Sequence, residues 1–432
     1  MDNIYFIIKD FNLTNISDID EESIKASIDS NVYSVLFKII RNIFICPYCG
    51  SDNIKIRSSR IEKIKHVLNN GSPCNVLFNK RIYLCEDCNK MFSEKLDRFS
   101  NEHGISFALN FFILESLKSE KMTYLEVSKR FNVSVTTVIN VFDESVNIKR
   151  HHLPQVLSID EVYKKGLSRT KYCCILFDPI NNIVIDVIDS RRKPDLEDYF
   201  RRIKLAEREN VKFITIDLYK TYKSIAHSFF KKAKLCADPF HVIENLNRCL
   251  DKVRLRVMKE FEKSKDRLGF DYWLMKKYWK FLLADFQKLP EINYHFKKKD
   301  CYVSKYYILD KILELSPELK EAYLLKESYI EFNNNATLDN AEELLSELIY
   351  NFRNSSIEEM NSFGLLLARW KKEIINSFNV VDGWRVTNAN IERKNQDIDL
   401  MYLCSHGLTN FKRARNRIMY SLNKNEPIDI IK

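Results

Sequence analysis

Two kinds of residue in this chain have types and spacing that suit metal chemistry. Cys46 and Cys49 in CPYCG, and Cys85 and Cys88 in YLCEDCNKMF, form two CxxC pairs. Each pair supplies two thiolates to a tetrahedral ion, and the turn residues Gly50, Asp52 and Asn89 let the sulfurs converge. The second kind is a carboxylate that ends an apolar run: VLSID stops at Asp160 and VKFITID stops at Asp217. Two carboxylates at one strand edge repel unless a cation neutralises them. Hard oxygen donors suit Mg²⁺, with Mn²⁺ as a substitute. A third carboxylate, Glu392 in VTNANIERKNQDIDL, would let the set hold two ions, one activating a nucleophile and one stabilising a leaving oxygen. Asn388 and Asn395 lie at i−4 and i+3 from Glu392 and would share its helical face as neutral hydrogen-bonding groups.

Positioning those carboxylates requires a particular order of elements. From Leu153, three strand patterns (VLSID, KYCCILFDP, NNIVIDVIDS) precede a helical DLEDYFRRIKLAERE. The strand VKFITID, a helix, the short strand KLCAD and a long helix from His241 follow. This βββαβαβα order matches the ribonuclease-H-like fold, in which the first and fourth strands are parallel neighbours. Their carboxyl ends, where sites of such sheets lie, would bring Asp160 and Asp217 together. Glu161 and Asp178 are expected near the same edge in supporting or surface roles. Leu250 to Trp370 is strongly helical and reads as an all-α insertion, with Tyr272, Trp273, Tyr278, Trp279 and Phe281 as core.

Upstream, the segment between the CxxC pairs reads as two or three strands returning the second knuckle to the first. Cys74 and His66 fall there and read as ordinary strand residues. The pattern is that of a zinc ribbon with structural Zn²⁺. Ile105 to Val146 then reads as three helices, the last two joined by a tight turn with Ser134 as N-cap, as in a helix-turn-helix. Ser134, Thr136, Thr137 and Asn140 would face a major groove, while Val135, Val138, Ile139 and Phe142 pack inward.

Composition is compatible with this. The 432 residues include 45% hydrophobic and 30% charged side chains, enough for several buried cores and a water-facing surface. Eleven Cys in a chain without a secretory-type N-terminus argue against a disulfide framework, and a cytoplasmic setting is expected. No apolar run long enough for a membrane span is present in the sequence. The +10 formal charge is moderate, but basic residues cluster in RSSRIEKIK, SRRK and NFKRARNR. Lys412, Arg413 and Arg415 in the last cluster are candidate phosphate contacts.

Taken together, SIDEVYKKG, YCCILFDPINNIVIDVIDSRRKPDLEDYF, TIDLYKTY, ADPFHVIENLNRCLDKVR and TNANIERKNQDIDLMYLCSHGLTNFKRARNRI follow one another as in bacterial insertion-sequence transposases. The chain resembles the ISL-three family of DDE transposases from about Cys46 to Ile418. The resemblance implies metal-dependent DNA strand cleavage and transfer by Asp160, Asp217 and Glu392. It also aligns Asp238 and His241 with the family's Asp-x-x-His element, expected near the catalytic centre rather than on the metal. Two positions depart from the family pattern: Ala389 stands where Gly is usual, and Arg393 follows Glu392 where a small residue is usual.

The expected organisation is multidomain α+β. A helical segment spans 1–40, a zinc ribbon 41–98 and a helix-turn-helix 104–150. The first part of the catalytic core spans 153–249 and the α-helical insertion 250–375. Residues 376–432 supply the core's final helix with Glu392 and a basic C-terminal helix. The expected partners are double-stranded DNA and further copies of the chain on that DNA, with no membrane. Two other functions are compatible with the same residues: an inactive DNA-binding regulator derived from a transposase, and a ribonuclease-H-like nuclease without strand transfer.

Overall fold

The computed structural model describes the chain apart from residues 1, 17, 30–31, 102–103, 165, 168–169, 264–268, 290–291, 297–299, 406–407 and 427–432. It divides into two compact units, Met1–Lys149 with Asp397–Lys432, and Arg150–Gln396. Among the described residues no helix is long and apolar enough to cross a membrane.

The first unit opens with helix α1 (Asp2–Asp10) and a five-stranded sheet. Strands β1 (Lys25–Asp29), β2 (Val32–Phe37), β3 (Ile54–Val67) and β4 (Pro73–Cys85) lie in the order β1-β2-β4-β3, and β5 (Met91–Ser93) pairs with β4. The expectation that 1–40 is helical is therefore corrected. VYSVLF is rich in β-branched and aromatic residues, and it buries Val35 and Phe37 while pairing in parallel with β4. That pairing stabilises the segment as strand.

Three helices follow: α2 (Phe107–Ser116), α3 (Tyr124–Phe131) and α4 (Val135–Ser145). The start of α3 is fixed by a capping box in which Thr123 and Glu126 satisfy each other's main-chain N–H groups. Asn132, in the left-handed region at φ 52°, ends it. Ser134 then caps α4 by accepting from the Thr137 N–H at 3.0 Å. Val138, Val141 and Phe142 are buried in the helical core, while Val135 and Ile139 are half-buried.

The second unit is built on strands β6 (Val156–Tyr163), β7 (Tyr172–Asp178), β8 (Ile183–Ile188), β9 (Phe213–Ile216) and β10 (Lys234–Ala237). Their order is β10-β9-β6-β7-β8. The first three strands form an antiparallel meander, and β9 and β10 add in parallel to the free side of β6. Helices α5 (Lys193–Arg201) and α6 (Leu205–Glu209) connect β8 to β9, and α7 (Lys220–Phe229) connects β9 to β10. FITI is buried almost throughout because it lies between two strands, with Ile214 and Ile216 inaccessible to solvent.

Helix α8 (Pro239–Lys263) leaves the end of β10 and leads into α9 (Phe270–Lys277), α10 (Trp279–Leu283), α11 (Lys305–Glu314), α12 (Pro317–Asn335), α13 (Ala341–Asn354) and α14 (Glu358–Asn376). The insertion is not purely helical, since β11 (Asn293–Phe296) and β12 (Cys301–Ser304) form a hairpin between α10 and α11. NYHF alternates exposed and inward residues, a period of two that suits a strand. One hydrophobic core runs from Leu157 and Ile216 of the sheet to Tyr278, Tyr329, Trp370 and Phe378, so the inserted helices extend the sheet's own core. Tyr278 is buried in it, and Tyr272, Trp273 and Phe281 pack against it, as aromatic core residues.

A short hairpin, β13 (Val380–Val381) with β14 (Trp384–Arg385), returns the chain to helix α15 (Ala389–Cys404), and α16 (Phe411–Leu422) follows. The segment 376–432 does not stay in one body: α16 shares the helical core of the first unit through Tyr420. Its last six residues lie outside the described set, as does the side chain of Ala389.

Candidate active site

Strand register brings the acids together. Ile159 of β6 and Ala237 of β10 both pair with Ile216 of β9. The next residues, Asp160, Asp217 and Asp238, therefore stand at one level across three adjacent parallel strands, Asp217 and Asp238 just past the ends of β9 and β10 and Asp160 within β6. The Asp238 N–H continues the ladder to the Ile216 carbonyl at 2.8 Å. Strands β9 and β10 stop there because a helix must begin: Asp217 Oδ1 accepts from the Tyr219 N–H at 3.1 Å just before α7, and Pro239 occupies the first turn of α8. Strand β6, expected from the sequence to end at Asp160, instead runs on to Tyr163, because Asp160–Tyr163 keep pairing with β7.

Helix α15 lies against this edge. Asn395 donates from Nδ2 to Asp160 Oδ2 at 2.7 Å, and the Asn388 N–H donates to Asp238 Oδ1 at 3.0 Å. Seven residues apart, the two asparagines are two turns apart on one face, with Glu392 between them. His241, on the first turn of α8, contacts Glu244 at 3.4 Å.

The electrostatics show how tightly these groups are assembled. Burial, reinforced by the Asp160 and Glu161 carboxylates, pushes the Asp217 carboxyl up to about 7. Burial also raises Asp160, against the Glu161 N–H, His241 and the Asn395 amide. Glu392 is raised by burial and by Asp238, with His241 opposing. Burial would lower His241, but the carboxylates of Asp238, Asp160 and Asp217 outweigh it and raise the imidazole. The neighbouring acids thus favour the charged form of His241, and it in turn favours theirs.

The polar atoms of this face also fit a hard cation and its oxygen ligands. Of ten buried side-chain N or O atoms without a hydrogen bond among the described residues, five belong here. They are Asp238 Oδ2, Asn388 Oδ1 and Nδ2, Glu392 Oε1 and Asn395 Oδ1. Buried polar groups are normally satisfied, so these four oxygens and one amide nitrogen have capacity for a bound cation, its ligands or water.

Comparison with known proteins adds the chain's relatives. Residues 157–418 match a family model described as a transposase, of the ISL3 DDE type. The chain belongs to the ISL3 family of transposases. Residues 44–88 match the zinc-finger of transposase IS204/IS1001/IS1096/IS1165. The transposase is also 28% identical over 246 residues to the insertion element ISM1 uncharacterized 48.3 kDa protein of Methanobrevibacter smithii. That match covers 52% of this chain and 57% of the relative's length.

The transposase carries a zinc ribbon with four gathered cysteines. Cys46 and Cys88 sulfurs lie 3.6 Å apart, as do those of Cys49 and Cys85. A tetrahedron of thiolates around zinc at about 2.3 Å has sulfurs about 3.8 Å apart, so the residues fit the ion. Among the described residues this is the one group of three or more His, Cys, Asp or Glu whose ligand atoms all lie within 4.8 Å. The ligand oxygens of Asp160, Asp217 and Glu392 do not all fall within that distance of one another. His66 is buried, bonded to Ser106 Oγ and the Phe11 carbonyl, and Cys74 is in the hydrophobic core. Neither joins the cluster.

Of the candidate DNA contacts, Ser134, Thr136 and Asn140 are exposed on α4, while the Thr137 hydroxyl bonds to Ser134. Lys412 is exposed on α16. Arg413 makes a fork to Asp143 at 2.6–2.9 Å, and Arg415 donates to the Ile148 carbonyl at 2.7 Å. Both arginines are engaged with the chain itself. Asp178 caps the β7–β8 turn through the Ile180 and Asn181 N–H groups. Glu161 pairs with Arg191 beside Asp160. Asp238 was expected near this edge from the Asp-x-x-His element, and strand register with the Asn388 N–H holds it level with Asp160 and Asp217.

Proposed function

We propose that this transposase binds the terminal inverted repeats of its element and cleaves and joins DNA strands through Asp160, Asp217 and Glu392. The observation that carries this reading is the Asn395–Asp160 hydrogen bond, which sets the Glu392 face of α15 toward the level of Asp160 and Asp217. The strand order, a three-stranded meander extended by two parallel strands, supports a ribonuclease-H-like core.

Asp160, Asp217 and Glu392 would hold two Mg²⁺ ions, with Mn²⁺ able to replace them. When bound, the ions activate the attacking oxygen and neutralise the leaving one. The chain's own part is to hold the carboxylates correctly spaced, with Asn388 and Asn395 as neutral hydrogen-bonding groups and His241 as a neighbour that favours their charged forms against burial. In the first step water attacks a phosphodiester at the element end, the P–O3′ bond breaks and a 3′-hydroxyl is released. That hydroxyl then attacks a target phosphodiester in line, forming a new P–O bond and freeing the target's 3′-hydroxyl.

The tight α3–turn–α4 pair, capped by Ser134, supports a helix-turn-helix that presents Ser134, Thr136, Thr137 and Asn140 to a major groove. Lys412 is the best-placed phosphate contact of the last helix, with Arg413 and Arg415 flanking it. The zinc ribbon would add to end recognition. Such a protein acts in the cytoplasm on nucleoid DNA, as an oligomer of itself assembled on the paired ends.

The test is cleavage and joining of labelled duplexes carrying the element's ends, with Mg²⁺, by wild type, Asp160→Asn, Asp217→Asn and Glu392→Gln. Wild type should give both products and each variant neither, with end binding retained. Undiminished cleavage by Asp217→Asn would refute the mechanism, and wild-type binding without cleavage would favour a regulator.

A further inference from the structure

Asp238 occupies a position that the metal-binding trio does not explain. It is 1% exposed and stands at the third strand end, level with Asp160 and Asp217. Its main-chain N–H is fixed to Ile216 on the central strand β9. Its Oδ1 receives the Asn388 N–H, a contact spanning 150 positions of chain. Asn388 immediately precedes α15, so this N–H is one of the donors that a helix start leaves unpaired. Asp238 itself immediately precedes Pro239 at the start of α8, and the His241 N–H favours its charge. One carboxylate therefore serves the N-termini of two helices, where the aligned peptide dipoles favour an anion.

We propose that Asp238 is a positioning residue for Glu392. It pins the first turn of α15 to the strand edge, Asn395 pins the same face two turns later on Asp160, and Glu392 is held between the two pins. The need for such a pin follows from the chain's course. Between Asp217 and Glu392 the chain passes through the whole inserted helical region, and α15 returns only after the short β13–β14 hairpin. A helix reaching the site after so long an excursion depends on its own first turn for placement. A shift of one ångström at such a group is enough to weaken a metal site.

This inference rests on the proposed role of Glu392, and the experiment separates the two. Mn²⁺ binding to the full chain is measured by calorimetry and by the Mn²⁺ paramagnetic resonance signal, on folded protein checked by circular dichroism. Glu392→Gln should weaken Mn²⁺ binding; if it does not, the proposed function itself fails. Asp238→Ala should weaken Mn²⁺ binding about tenfold or more, the usual effect of removing a group that orients a ligand. Asp238→Asn keeps an oxygen that can accept the Asn388 N–H, and Asn caps a helix as well as Asp does, so its affinity should stay within about threefold of wild type. That rescue is what a positioning role requires. Wild-type affinity in Asp238→Ala would overturn the inference. So would a loss in Asp238→Asn as large as that expected of Asp238→Ala, since the charge rather than the anchor would then matter.

Discussion

Asn395 and Asp160 lie 235 positions apart in the chain, yet the Asn395 amide donates to the Asp160 carboxylate at 2.7 Å. Through this bond helix α15 meets strand β6, and the Glu392 face is set toward the level of Asp160, Asp217 and Asp238. The amide stabilises the charged form of Asp160 against the burial that raises it. Asn395→Ala should therefore lower single-turnover strand cleavage by about tenfold. Asn395→Asp should cost more, about a hundredfold near neutral pH, because it sets a like charge against a buried carboxylate. Equal rates for the two variants would show that charge at this position is immaterial.

Without divalent cations, the acidic group makes stability fall as pH rises. Asp217 is pushed up to about 7 by burial first and by Asp160 and Glu161 next. A carboxyl that holds its proton more tightly folded than unfolded favours the folded state at pH values below its unfolded value. It loses that contribution as pH rises through about 7. Asp160, Asp238 and Glu392 are raised too, and the raised His241 acts in the same direction. The melting temperature in chelator should fall between pH 5 and pH 8, and Mg²⁺ should restore it more at pH 8 than at pH 5. Asp217→Asn should flatten the slope in a scanning fluorimetry series.

The zinc ribbon should be metal-dependent as a unit. Wild-type protein should carry one Zn²⁺ per chain by atomic absorption, and Cys85→Ser should carry none. With β4 ending on Cys85 and paired to β3 along nearly its whole length, loss of the ion should disorder the knuckles. Binding to element ends should drop, while melting of the Arg150–Gln396 unit should be unchanged. Retained end binding in a zinc-free variant would remove the ribbon from recognition.

Arg417 should matter for stability rather than for DNA. It is buried, donating to the Ser119 and Met122 carbonyls and to Ser421, and burial lowers it to about 10. Arg417→Ala leaves those carbonyls unsatisfied and should cost about 3 kcal/mol in denaturant unfolding of the first unit. Lys412→Ala, on the exposed side of the same helix, should leave stability within about 0.5 kcal/mol and reduce the salt dependence of DNA binding. Reversed outcomes would mean that the helix is oriented otherwise.

Local chemistry made much of this protein readable in advance. The CxxC spacing specified the zinc cluster, because two thiolates three positions apart in a tight turn can meet one ion wherever the turn lies. FITI was legible as a buried central strand because an unbroken apolar run must be covered on both faces, and Ser134 was legible as a cap because its hydroxyl serves an N–H only three residues on. The first forty residues were not, since VYSVLF becomes a strand only by pairing with β4, a partner some forty positions away. NYHF was hidden in a helical neighbourhood for the same reason, and only its pairing with CYVS decides it. The basic final helix showed its charge in the sequence but not its partners. Asp143 and the carbonyls of residues 119, 122 and 148 claim three of its arginines, and that assignment depends on packing. So it is at the site. The sequence by itself determined which acids follow apolar strand runs and which residues share the Glu392 face, because periodicity is a local property, although β6 continues past Asp160 to Tyr163. Only the tertiary structure decided how Asp238, expected near the centre from the Asp-x-x-His element, is held there, since strand register and one long-range hydrogen bond to Asn388 fix it.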